Sequence, residues 1–60
     1  NMKEQFLRAF ANLPIPERAN PIYVDPKHGA LSWHVVRIEV EAGTPIGDAA
    51  MKFLSDLKII

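Results

Sequence analysis

Apolar residues recur at Met2, Phe6, Leu7, Phe10 and Ala11, close to the i, i+3, i+4 spacing of one helical face. Lys3, Glu4, Gln5 and Arg8 fill the other side, with Glu4 and Arg8 spaced for an i, i+4 ion pair. The pattern predicts a first helix over Met2 to Ala11. Asn12 closes it by taking the left-handed conformation, and Pro14 forbids continuation. Asn1, ahead of Met2, is read as an addition to the natural start and left out of the patterning.

Leu13 to Pro21 has three prolines and reads as an ordered connector, with one short helical turn at Pro16-Glu17-Arg18-Ala19. Ile22-Tyr23-Val24 is strand-like. Asp25-Pro26-Lys27-His28-Gly29 then has an Asx-type start, a proline and a glycine able to supply φ > 0. Together they predict a β-hairpin from about Pro21 to Val35. At the far end, Thr44 is an N-cap and Pro45 a first helical residue. Ile46, Ala49, Ala50, Phe53, Leu54, Leu57 and Ile60 form the apolar stripe of a closing helix, with Asp48 and Lys52 as an outward pair. Gly47 is out of place in that helix, and close packing against backbone is a reason for it.

Between the two lies Ala30 to Ala42, rich in β-branched residues and holding the single Trp, which reads as one long strand. Leu31, Trp33, Val35, Arg37, Glu39 and Glu41 share one face of such a strand, and Ser32, His34, Val36, Ile38 and Val40 the other. The apolar side changes at Val35-Val36, and a one-residue shift moves every side chain to the opposite face. A β-bulge near Val35 or a sheet buried on both faces would each account for it. Helix, short strand, long strand, helix gives an α+β fold, αββα, with two amphipathic helices on a small antiparallel sheet.

The short strand can cover only half of the long one, which leaves Val36 to Glu41 with an open edge. Pairing two copies antiparallel around Ile38 sets Arg37 opposite Glu39 and Val36 opposite Val40, and repeats by symmetry. The expectation is a homodimer with a continuous four-stranded sheet, its interface formed by Trp33, Val36, Arg37, Ile38, Glu39 and Val40. Length agrees with this: sixty residues make a single domain near the lower limit for folding alone, and with no Cys a disulfide cannot help.

Composition narrows function more than it defines it. Hydrophobic residues are 48% and charged residues 23%, a globular balance. Seven basic and seven acidic residues are interspersed, without the basic stripe of a nucleic-acid-binding domain. No apolar run is long enough to span a membrane and no signal-peptide pattern is present, so a cytoplasmic location is expected.

Candidate chemistry is sparse. His28 and His34, with Asp25 or Glu39, match no metal-ligand spacing, and neither a metal nor a cofactor is expected. Ser32 and Ser55 lie in no nucleophile motif, and Gly43-x-x-x-Gly47 lacks the rest of a phosphate loop. Glu39 and Glu41 on one strand face read as solvated or ion-paired rather than catalytic. No enzyme is expected. Trp33, Tyr23 and Arg37, if exposed together, have the composition of an interface hot spot.

Leu31-Ser-Trp-His-Val-Val-Arg-Ile-Glu-Val-Glu, then Gly43-Thr-Pro-Ile-Gly and a Leu-rich closing helix, resembles part of a group of short uncharacterised prokaryotic proteins. The resemblance implies a small stand-alone prokaryotic protein and brings no activity or site residues. The functional expectation is a homodimeric protein–protein interaction or regulatory module. A nucleic-acid-binding dimer and a dimer binding a small molecule at its interface are the alternatives.

Overall fold

The computed structural model describes residues 1–60. The chain runs from helix α1 (Met2–Ala11) through a 3-10 turn (Ile15–Ala19) to strands β1 (Pro21–Asp25) and β2 (Gly29–Ser32). Helices α2 (Trp33–Ala42) and α3 (Pro45–Asp56) complete it. The α+β class, the opening helix, the hairpin and the closing helix are as the sequence predicts. The second half of the expected long strand is not: it is α2.

The apparent change of face at Val35-Val36 is a change of period. Trp33, Val36 and Val40, at i, i+3 and i+7, are the buried side of α2. Ser32 ends β2 and caps α2, its Oγ accepting from the Val35 N–H at 3.2 Å. The β-branched residues favour a strand locally. The cap, the helical apolar spacing and burial against α1 and α3 outweigh that preference. Residues 36–41 therefore present no strand edge, and the expected sheet pairing around Ile38 falls away with it. A ladder irregularity does exist, but at Ile22, between the pairs Pro21–Ser32 and Tyr23–Leu31.

Several local expectations are also revised. Asn1 caps α1: its Oδ1 accepts from the Glu4 N–H at 2.8 Å, and its Nδ2 donates to Glu4 Oε1 at 3.1 Å. Glu4 is thereby drawn toward the helix start, away from the expected pairing with Arg8. Asn12 is right-handed, with φ −87°. Lys52 pairs with Asp56 at 2.9 Å, not with Asp48. The closing helix stops at Asp56, and its buried line is Gly47, Ala50, Met51 and Leu54, which leaves Phe53 and Leu57 largely outside.

α2 and α3 are joined by a short connector and pack closely together. Gly43, left-handed at φ 71°, donates to the Val40 carbonyl, and Thr44 N–H donates to Glu39 O, closing α2 in a Schellman motif. Thr44 then caps α3, Oγ1 accepting from the Gly47 N–H at 3.1 Å. The same hydroxyl donates to Glu39 Oε1 at 2.8 Å. A Cβ on Gly47 would lie 2.6 Å from the carbonyl carbon and oxygen of Glu39 and 2.7 Å from Val40 N, so the helices meet there backbone to backbone. Phe6, Phe10, Leu31, Trp33, Val36, Val40, Ala50, Met51 and Leu54 form the core. No helix is long and apolar enough to cross a membrane.

Candidate functional site

The helical course of α2 divides the six residues singled out from the sequence. Trp33, Val36 and Val40 are buried in the core. The Trp33 ring stacks on Phe6 with centroids 5.7 Å apart, so it is a packing residue and no exposed hot spot. Glu39 is half-buried and engaged by Thr44. Arg37 and Ile38 remain on the surface. Tyr23 does not join them; its ring packs against Phe53 at 5.5 Å. Glu39 and Glu41, two apart on a helix, point in widely different directions and form no carboxylate pair.

Two surfaces are built from what is left. The first is the outer side of α2. Ile38 lies opposite the buried line and is 64% exposed, while Val35, three residues earlier, is 40% exposed. His34, Arg37 and Glu41 flank Ile38 around a shallow depression. Arg37 Nε donates to Glu41 Oε1 at 2.6 Å, and its guanidinium also lies 5.0 Å from the Phe10 ring centroid. The Arg18 guanidinium lies 4.5 Å from the same ring, and His34 meets that ring edge-on. Phe10 is thus the support for two cations as well as a core residue. Arg18 donates through Nη2 to Ala11 O at 3.4 Å, while its buried Nε has no partner.

The second is an apolar groove along β1, lined by Pro21, Ile22, Tyr23, Val24, Ala30 and Phe53. Val24 pairs with Ala30 across the hairpin, and these two form the face of the sheet turned from the core. Val24 is 70% and Phe53 41% exposed. β1 has no further strand on its far side. The groove was hidden from sequence reasoning because Phe53 fits the apolar stripe of α3. Its only signal is that the stripe is wider than one buried face requires.

His28 and His34 lie in different parts of the fold, His28 in the hairpin turn and His34 on α2. Asp25 Oδ2 accepts from the Lys27 N–H at 3.0 Å, the His28 N–H at 2.9 Å and the His28 ring at 2.8 Å. An ionised carboxylate only accepts, so Nδ1 of His28 bears the proton. The His28 side-chain hydrogen bond is the main cause that holds the Asp25 carboxyl below its ordinary value; the two backbone N–H groups act in the same sense, against desolvation. This arrangement locks the hairpin turn. No group of three or more His, Cys, Asp or Glu side chains could hold a metal.

Comparison of the chain with models of known families, with curated proteins and with solved structures gives no match.

Proposed function

We propose that this chain is a small protein–protein interaction module that acts as a homodimer. The observation that carries the reading is the groove of Pro21, Ile22, Tyr23, Val24, Ala30 and Phe53 beside the unpaired side of β1. Isolated surface apolar residues are ordinary, whereas a contiguous apolar patch rimmed by polar groups is characteristic of a contact surface. An extended segment of a partner protein suits this groove, because β1 offers backbone donors and acceptors along it. The outer side of α2, with Val35 and Ile38, shares no lining residue with the groove and supplies a second apolar surface for self-association. The size of the chain supports the dimer: a core of nine residues leaves little stability in reserve, and association adds burial.

Sedimentation equilibrium of the unmodified chain from about 1 to 500 µM tests the dimer; half-association in that range corresponds to roughly 5–8 kcal/mol of association free energy. A mass that rises from monomer to dimer is expected. A monomer mass throughout would overturn the homodimer.

A further inference from the structure

We infer that the outer face of α2 is a two-fold interface for a second copy of this chain, centred on Ile38, with the helices antiparallel. The inference rests on the homodimer reading and assigns its surface. Its basis is the charge order along one helix. On the face opposite the buried Trp33, Val36 and Val40, Ile38 is central and mostly exposed. His34 and Arg37 lie on the N-terminal side of one flank, and Glu41 on the C-terminal side of the same flank. Val35 and Ala42 lie on the opposite flank, both exposed. A two-fold axis across α2 preserves each flank and reverses its direction. It therefore brings His34 and Arg37 of one copy beside Glu41 of the other, twice, and sets Val35 near Ala42 and Ile38 against Ile38.

A parallel two-fold would exchange the flanks, setting His34, Arg37 and Glu41 of each copy against Val35 and Ala42 of the other and leaving those charges without partners across the contact. Arg37 engages Glu41 of its own helix through Nε, which leaves its terminal nitrogens to reach a carboxylate on another chain. Antiparallel helices also oppose their dipoles favourably. The symmetry centre is the residue that strand pairing would have used, but the contact is between helix surfaces.

The test combines the native chain with Ile38→Glu and Ile38→Cys, and with Val24→Cys on the sheet face as a control. Cysteine is otherwise absent, so each thiol reports alone. The native chain is expected to dimerise, and Ile38→Glu to weaken the dimer by about tenfold or more with an unchanged circular dichroism spectrum. Mild oxidation should cross-link Ile38→Cys and leave Val24→Cys without a covalent cross-link. A dimer that survives Ile38→Glu, with no enhanced cross-linking at position 38, overturns this interface and keeps the homodimer. A native chain that stays monomeric overturns both.

Discussion

Gly47 shows how one residue sets the geometry of two helices. Ordinarily Gly→Ala inside a helix stabilises by about 1 kcal/mol. Here the added methyl would enter the Glu39–Val40 backbone at 2.6–2.7 Å, where no side chain can rotate away. Overpacking costs about 1–3 kcal/mol, and rigid backbone puts this site at the upper end. Gly47→Ala should therefore lower the urea midpoint, with a net loss of about 2 kcal/mol; a raised midpoint would mean that α2 and α3 separate freely. Asp25 gives a prediction in pH. Its folded-state carboxyl titrates below the ordinary value of 3.8, chiefly through His28. As pH falls, the unfolded chain takes up that proton before the folded chain does, so stability is lost with acid. The contribution is complete above the unfolded value and disappears as pH drops through the lower folded one. Urea midpoints between about pH 6 and 2.5 should fall less steeply for Asp25→Asn than for the native chain. Equal slopes would show that the turn carboxylate does not couple to folding.

At the scale of elements, α2 and α3 end in the same motif with different residues. After α2 the left-handed position is Gly43; after α3 it is Lys58, at φ 60°. Lys58 donates to Ser55 O and Ile59 N–H to Leu54 O, the Schellman pattern again. A left-handed non-glycine residue carries about 1–2 kcal/mol of strain, partly offset because glycine makes the unfolded chain freer. Lys58→Gly should stabilise by about 0.5–1 kcal/mol, read as a higher thermal midpoint; a lower midpoint would show that Lys58 makes a contact worth more than its strain. These ends also explain what was legible. Gly43, Thr44 and Pro45 announce a helix start whatever precedes them, and Asp25 through Gly29 announce a turn, because both signals are local chemistry. α2 lacks such clarity: Val35, Val36, Ile38 and Val40 favour strand locally, while Trp33, Val36 and Val40 favour helix by spacing. Packing against α1 and α3 decides between them, and that is a property of the whole chain. The groove was illegible for a related reason, since Phe53 meets β1 only after both have folded.

At the scale of the whole molecule, the proposed association bears on stability. A chain of this length has about 3–9 kcal/mol of folding free energy. Phe6 has no exposed surface, stacks on Trp33 and lies 6.4 Å from the Phe10 ring, so it ties α1 to α2 at the centre of the core. Removing a buried Phe side chain costs about 3–5 kcal/mol, comparable with all the stability available. Phe6→Ala should therefore be largely unfolded at 25 °C at low micromolar concentration, with Trp33 emission shifted to that of water-exposed indole. Association changes this result in a defined direction. If folded chains pair through α2, each pairing stabilises the folded state by mass action, and raising the concentration must recover structure. Emission of Phe6→Ala should move back toward the buried value as concentration rises, and it should not do so when Ile38→Glu is added. A spectrum independent of concentration in both variants would separate folding from self-association and leave the core of nine residues to hold the chain on its own.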